Sequence, residues 1–354
     1  MVTDISAEMV TAVLPVYLVL GLHLTPVAYG LVDGLYTGAT ALLRLVGGYI
    51  ADRVRTRKAV AGVGYGLSAV TKLGLLLVGG SVTAIGAMIT LDRAGKGLRT
   101  APRDALITLS APQDMLGRAF GVHRAMDSLG AFAGPLVALA VLAAVGSGVT
   151  TEGFDAVFVT SFCFALLGVA LLVLFVKDRR GERPASNTVS PKVALALLVD
   201  RRVRKIMIIA AIIGLSTIGD GFVYLLLQRR EDIAIGWFPL LAVGTNLAYL
   251  ALAAPFGALA DRFGRLPVVV GGYVALLAVY VLVFGPFGGV PVIVLTLALY
   301  GTFYAATDGV LIALAGPVLP EALRTTGIAL IQTTQAVAYF VSSVAFGLVW
   351  ASWG

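Results

Sequence analysis

The stretch Gly48-Tyr-Ile-Ala-Asp52-Arg53 recurs later in the chain as Gly257-Ala-Leu-Ala-Asp261-Arg262, displaced by 209 residues. Two further pairs of segments follow in the same order, at displacements of 204 and 206 residues: Asp104-Ala-Leu-Ile with Asp308-Gly-Val-Leu, and Arg118-Ala-Phe-Gly121 with Arg324-Thr-Thr-Gly327. Three matches in one order at nearly one displacement indicate an internal repeat. The sequence therefore predicts two parallel copies of one structural unit.

The composition places both copies in a membrane. Of 354 residues, 59% are hydrophobic and only 13% are charged, whereas soluble domains carry about 25% charged residues. A helix that crosses the bilayer needs about 20 mostly apolar residues. Segments of about this length are predicted at 4–24, 27–50, 58–79, 82–101, 120–147, 154–176, 205–228, 234–259, 266–286, 290–316 and 324–350. The chain is thus predicted to be an all-α membrane protein with about eleven spans.

Basic residues alternate between the two sets of loops. They follow the second, fourth, sixth and eighth spans and precede the eleventh, whereas the opposite loops hold only Arg229 and Arg230. Basic loops stay in the cytoplasm, so the sequence predicts a cytoplasmic N-terminus and a multi-pass protein of the cell membrane. The most basic stretch, 177–204, is predicted to be a cytoplasmic linker between a six-helix bundle at 1–176 and a five-helix bundle at 205–354. Its charge is attributed to membrane topology and not to nucleic-acid binding.

The repeated loops resemble a known family. Gly48 to Arg53, continued to Arg57 and Lys58, resembles the signature loop between helices two and three of the major facilitator superfamily. Gly257 to Arg262, continued to Gly264 and Arg265, resembles the second copy between helices eight and nine. The resemblance implies two parallel bundles around a central cavity. It also implies that the two loops latch the bundles together on the cytoplasmic side.

Two other segments carry the resemblance. Gly130-Ala-Phe-Ala-Gly134-Pro135 in the fifth span resembles the antiporter motif of the family, although the trailing glycine pair is absent. The segment from Leu91 to Asp104 resembles a bacterial permease subgroup. Members of the family have twelve helices, so the twelfth is expected to be missing here. In the subgroup the residues around Asp4 and Glu8 lie inside helix one, and the chain is therefore expected to lack residues at both ends.

Ionisable residues within spans are costly and commonly serve function. The candidates for substrate binding or proton coupling are Asp4, Glu8, Asp33, Arg44, Arg124, Asp127, Asp220 and Asp308. Lys72, Asp92, Arg93 and Lys96 also fall within spans, without an assigned role. A carboxylate in a cavity that faces each side in turn can take up a proton on one side and release it on the other. The alternatives are helix–helix ion pairs and, for Asp4 and Glu8, stabilisation of a helix N-terminus.

Uncharged polar residues within the C-terminal spans add a possible binding surface. The candidates are Tyr224, Asn246, Tyr304 and Gln332. Their structural alternative is hydrogen bonding between helices.

These features predict a secondary active transporter of a small solute that works by alternating access, as a proton-coupled antiporter for efflux. It is expected to act as a monomer. A passive facilitator and an inactive truncated member remain alternatives. A membrane-embedded enzyme or lipid scramblase is disfavoured because no nucleophile motif or phosphate-binding loop is present. With one cysteine and two histidines, neither a metal site nor a cofactor is predicted.

Overall fold

The computed structural model describes residues 1–53, 57–110, 112, 115–146, 151–177, 199–307, 319 and 324–353. Within these ranges, only the helical backbone is described at 41–42, 44–53, 101, 105, 109, 116–118, 120–121, 124, 151, 261, 324–326 and 329. The described chain forms the α-helices α1 (Val2–Val16), α2 (Pro26–Arg53), α3 (Arg57–Leu77), α4 (Val82–Ser110), α5 (Leu116–Val145), α6 (Thr151–Phe175), α7 (Arg201–Ser216), α8 (Asp220–Arg230), α9 (Pro239–Phe263), α10 (Arg265–Phe284), α11 (Val290–Thr307) and α12 (Arg324–Trp353). A π-helical turn at Tyr17–Gly21 continues α1, and a short 3-10 helix at Ile235–Trp237 precedes α9.

The helices have the length and polarity of membrane spans. Nine stretches of the described chain are long and apolar enough to cross a bilayer, and one of them joins α7 to α8. The two other long helices, α2 and α4, have 28 and 29 residues. Large apolar side chains point outward, with Leu77 88% exposed and Phe175 75% exposed, which is typical of a surface that faces lipid. The prediction of an all-α membrane fold with about eleven spans is confirmed.

Some span boundaries differ from those predicted. Helix α4 continues nine residues beyond the predicted end at 101, because its charged second half lies among other helices, where the hydropathy pattern gives no signal. The predicted tenth span, 290–316, corresponds to α11 as far as Thr307, and the remainder lies outside the described residues.

The seventh span, predicted as one helix over 205–228, is broken. Helix α7 ends at Ser216 and α8 begins at Asp220, with Gly219 in an extended conformation at the N-cap. A break within a bilayer is tolerated only where other groups satisfy the freed backbone. Hydroxyl groups from three helices do so: the Tyr280 hydroxyl accepts from the Ile218 amide at 2.8 Å, Tyr300 donates to the Ile218 carbonyl at 2.9 Å, and Ser342 donates to the Thr217 carbonyl at 3.1 Å.

The N-terminal helices α1–α6 meet the C-terminal helices α7–α12 along two seams. Helix α2 packs on α12, and α5 packs on α9. Glycines bring the first pair into backbone contact: a Cβ on Gly30 would collide with the Ser343 carbonyl, and one on Gly34 would lie 2.5 Å from the Phe340 ring. Side chains near the start of α2 therefore lie directly against the last helix.

Candidate functional site

The centre of the candidate site is Asp33, on α2 at the seam with α12. Its Oδ2 accepts hydrogen bonds from the Tyr339 hydroxyl at 2.8 Å and from the Ser343 hydroxyl at 2.7 Å. Both donors belong to α12, so one carboxylate of the N-terminal half holds two groups of the C-terminal half. Hydrogen bonds to an ionised acceptor are about twice as strong as neutral ones. The bonding at this seam therefore depends on whether Asp33 is ionised.

The break in the seventh span brings a second carboxylate to the same place. A Cβ built on Gly219 would lie 2.7 Å from Asp33 Oδ2, so α8 begins directly beside Asp33. The first residue of α8 is Asp220, which lies within electrostatic range of Asp33. Two acidic residues predicted from separate spans, one in each half, are thus brought together.

Tyrosines form the wall beside Asp220. The Tyr224 ring lies 6.5 Å from the Tyr300 ring, which in turn lies 5.2 Å from the Tyr304 ring. Tyr224 and Tyr304 both lie within electrostatic range of Asp220. The wall therefore offers aromatic faces and hydroxyl groups next to the acidic pair.

Aromatic side chains close the two halves together just beyond this point. The Phe222 ring packs edge-on against Tyr29 at 4.7 Å and against Phe346 at 4.8 Å, and Trp350 lies 5.7 Å from Phe222. We call these four residues the aromatic contact. It joins α2, α8 and α12 at the end of the molecule where α2 begins, so at this end the halves are closed against each other.

The antiporter-like motif of the fifth span packs on the acidic residues of α1. A Cβ on Gly130 would lie 2.7 Å from Asp4 Cβ, and one on Gly134 would lie 2.6 Å from Glu8 Cβ. The Asp4 carboxylate accepts from the N-terminal ammonium of Met1 at 2.8 Å. The two glycines therefore set how closely α1 approaches α5, and with it the position of Glu8.

A buried ionic group lies within the N-terminal half. Asp92 Oδ1 accepts from Lys72 at 2.5 Å and from Ser68 at 2.8 Å, and its Oδ2 pairs with Arg93. The Arg93 guanidinium lies over the Tyr36 ring, 3.9 Å from its centroid. One carboxylate is thus shared by two cations. Lys72 and Arg93 are 4% and 3% exposed.

Other predicted site residues lie elsewhere or outside the described part. Asn246 donates to the Ala131 carbonyl at 3.2 Å and so bridges α9 and α5. Asp127 Oδ2 lies 3.3 Å from His123 Nε2 on the same helix, and Gln332 is half-buried on α12. Asp308 and the side chains of Arg44 and Arg124 lie outside the described residues.

The predicted gating loops are described only in part. Asp261 and the segment from Gly48 to Arg53 are described only as helical backbone. Lys58 donates to the Val173 carbonyl at 2.8 Å, and so joins α3 to α6. Within the described part of the chain, no atom of another segment lies within 4 Å of the Cβ position of Gly257, and the Arg262 guanidinium lies 5.3 Å from the Phe263 ring centroid. Gly264 has a φ of +89° at the junction of α9 and α10, a conformation that only glycine adopts without strain.

Arg57 and Arg265 are the first residues of α3 and α10, and Pro135 lies inside α5. The partners of Asp33 were not predictable from the sequence. Tyr339 and Ser343 stand 306 and 310 residues away in the chain, and no periodicity relates them to Asp33. The break in the seventh span had a signal, since Gly219-Asp220-Gly221 interrupts an apolar run with turn-forming residues.

Comparison with known proteins identifies the family. The family model described as Major Facilitator Superfamily matches residues 1–234. The chain is 32% identical over 356 residues to an uncharacterised MFS-type transporter of Methanocaldococcus jannaschii, covering 98% of this chain and 85% of the relative. It is also 36% identical over 177 residues to an uncharacterised protein of Mycobacterium bovis, covering 47% of this chain and 40% of that protein.

Solved structures share the fold. A crystal structure of the nucleoside transporter NupG superposes with a TM-score of 0.80 at 14% identity, covering 100% of this chain and 89% of that one. A bacterial homologue of the human lysosomal transporter Spinster, in an inward-facing and unoccupied conformation, gives 0.73 at 16% identity, with coverage of 98% and 79%. The D-xylose–proton symporter gives 0.69 at 15% identity, with coverage of 98% and 86%. These relatives are transporters and not enzymes. The family model and the archaeal relative show that the chain belongs to the major facilitator superfamily and is a multi-pass membrane transporter.

Proposed function

We propose that the protein is a secondary active transporter that exports a small solute across the cell membrane in exchange for protons. The observation that supports this most directly is the Asp33 carboxylate, which accepts two hydrogen bonds across the seam between the halves. Alternating access requires that this seam open and close. A carboxylate that bonds across it gives protonation a direct effect on that equilibrium.

The coupling follows from the charge of Asp33. Ionised, it holds the Tyr339 and Ser343 hydroxyls with charge-assisted bonds, which favours the closed seam at the end where α2 begins. Protonated, it loses about half of that bond strength, and the seam opens more readily. With the N-terminus in the cytoplasm, this end faces the outside. An outside proton would then be taken up in the open form. After the seam has closed, release of the proton to the cytoplasm would restore the charge that stabilises the closed seam.

Asp220 has a second role in this scheme. Two carboxylates in electrostatic contact disfavour double ionisation, so one proton shared by the Asp33–Asp220 pair relieves their repulsion. A solute that binds beside Tyr224 and Tyr304 would change the surroundings of Asp220, and proton binding and solute binding would be linked through that residue.

The moving units in this proposal are the bundles at 1–176 and 205–354, joined by the linker 177–204, in a monomer. The repeated loops, from Gly48 to Lys58 and from Gly257 to Arg265, would latch the opposite, cytoplasmic end. The structural relatives transport nucleosides and xylose, so the shared fold does not decide which solute is carried here.

The experiment uses inside-out vesicles that contain the full chain, with an acidic interior and an external pH probe. A panel of solutes is added to wild-type, Asp33→Asn and Ser342→Ala vesicles. We expect one class of solute to trigger proton release from wild type and from Ser342→Ala, whose hydroxyl donates to the Thr217 carbonyl within the C-terminal half, but not from Asp33→Asn. Uphill solute movement that Asp33→Asn leaves intact would disprove the assigned role of Asp33. Solute movement that only follows its own gradient in the wild type would instead establish a passive facilitator.

A further inference from the structure

One face of α4 carries several cations within the membrane. Arg93, Lys96 and Arg99 are spaced three residues apart, which puts them on neighbouring positions of one helix face. Arg93 is 3% exposed and Arg99 is 5% exposed, whereas Lys96 is only half-buried. Buried charges are costly unless they are compensated, so the negative partners of this face decide its purpose.

The negative charge near this face is insufficient. Asp92 is shared by Lys72 and Arg93. Among the side chains that the structure describes, Lys96 has no ion-pair partner within 4 Å, and Glu8 and Asp4 lie within electrostatic range of it. Arg99 lies over the Tyr65 ring, 4.6 Å from its centroid, which supplies no net charge. The described group therefore carries surplus positive charge.

Arg93 also has an unused donor. Its Nε is buried and has no hydrogen-bond partner among the described residues. Arg93 lines a cavity of about 20 Å³ together with Thr11, Tyr36, Lys72 and the Asp92 carboxylate that pairs with both cations. A cavity of that size admits about one water-sized group. Arg93 thus combines a buried donor that has no partner among the described residues with a position at the wall of a small cavity.

The cations lie close to the space between the two halves. Glu8 is within electrostatic range of Lys96 and Arg93 on α4, and also of Asp220 on α8. Glu8 is therefore near both the cationic face of the N-terminal half and Asp220 of the C-terminal half. A solute between the halves would have cations on one side and Asp33, Asp220 and the tyrosines on the other.

We propose that the transported solute carries an anionic group, a carboxylate or a phosphate, which binds to Lys96 and Arg93. This inference rests on the proposed transport function and adds the substrate class. Arginine and lysine donate charge-assisted hydrogen bonds to carboxylate and phosphate oxygens. The anionic group compensates the surplus charge of α4 and takes the unused donor of Arg93.

The test measures binding by the purified full chain without a pH gradient. The melting temperature is recorded by tryptophan fluorescence as inorganic phosphate or succinate is added, with sodium chloride at equal ionic strength as reference. Lys96→Gln removes the charge and Lys96→Arg keeps it. Lys205→Gln, a change at an exposed lysine of α7, is the matched control.

We expect phosphate or succinate to raise the melting temperature of the wild type above the chloride reference. The half-saturating concentration should rise about 10-fold or more in Lys96→Gln, because a hydrogen bond to a charged group is lost, and should stay unchanged in Lys205→Gln. Lys96→Arg should retain binding. Stabilisation by phosphate alone or by succinate alone identifies the anionic group.

Two results would overturn the inference: no stabilisation by either anion beyond that of chloride, or equal half-saturating concentrations in wild type and Lys96→Gln. The outcome is separable from that of the coupling experiment, because the melting assay is run without a pH gradient and measures binding alone. Lys96-dependent binding without proton release would keep the anion site and reject the coupling. Proton release without Lys96-dependent binding would do the reverse.

Discussion

Two adjacent serines on α12 provide a matched test of the seam. The Ser343 hydroxyl donates to the Asp33 carboxylate at 2.7 Å across the two halves. The Ser342 hydroxyl donates to the Thr217 carbonyl at 3.1 Å within the C-terminal half. Both side chains are buried, at 0% and 8% exposure. Ser343→Ala and Ser342→Ala therefore each remove one serine hydroxyl, but only Ser343→Ala should change the ratio of closed to open forms.

The size of the expected change in the ratio of closed to open forms follows from the charge of the acceptor, Asp33. A hydrogen bond to a charged group contributes about 1.5–3 kcal/mol, which corresponds to a change of about 10- to 150-fold in the ratio of closed to open forms. We expect Ser343→Ala to fall near the lower limit, because Tyr339 still bonds to Asp33. The double variant with Tyr339→Phe should shift the ratio further. Ser342→Ala should lower the overall stability by about 1 kcal/mol without changing the ratio.

The assay is a distance measurement between spin labels at the end where α2 begins. One label is placed on each half, through Gly80→Cys and Ala351→Cys. No described atom of another segment lies within 4 Å of the Gly80 Cβ position, and Ala351 is exposed. Cys163→Ser removes the exposed native cysteine. Ser343→Ala should increase the population of long distances relative to Ser342→Ala. Identical distance distributions in the two serine variants would refute the argument that Asp33 holds the seam closed.

Three further predictions concern packing and the buried charges. Gly134→Ala should lower the free energy of unfolding by about 1–3 kcal/mol, because its Cβ would lie 2.6 Å from the Glu8 Cβ. The control Gly66→Ala lies on a helix with no described atom of another segment within 4 Å of its Cβ position, and it should not destabilise the protein. Equal melting temperatures of the two variants would contradict this prediction. Asp92→Asn should lower the free energy of unfolding by about 3–5 kcal/mol, because it leaves two buried cations unpaired. In thermal melts, the double variant with Lys72→Met should recover part of this loss. No recovery would argue against one carboxylate shared by the two cations. Tyr300→Phe should speed amide hydrogen exchange at the break of the seventh span by about 5-fold or more, because the Ile218 carbonyl loses its hydrogen-bond donor. An unchanged exchange rate there would show that this bond does not stabilise the break.

The membrane fold was predictable from local patterns in the sequence. Apolar runs separated by basic loops define the spans, since a bilayer demands a fixed length of apolar helix. The repeat of Gly48 to Arg53 at Gly257 to Arg262 identified the parallel halves, because an internal duplication preserves order and spacing. The site was predictable only as a set of candidates. Asp33 and Asp220 stood out as carboxylates within apolar spans, but their proximity could not be read from either span alone.

Pairings across the chain required the tertiary structure. A charge such as Lys96 is visible in the sequence, but whether it has a partner depends on how α1 and α4 approach each other. The sequence by itself determined that the chain is a helical membrane protein of two related halves, because hydropathy and repetition are properties of contiguous segments. Only the tertiary structure decided that Asp33 bonds to Tyr339 and Ser343, because the packing of α2 against α12 joins residues more than 300 positions apart, and no local pattern encodes which hydroxyl faces which carboxylate.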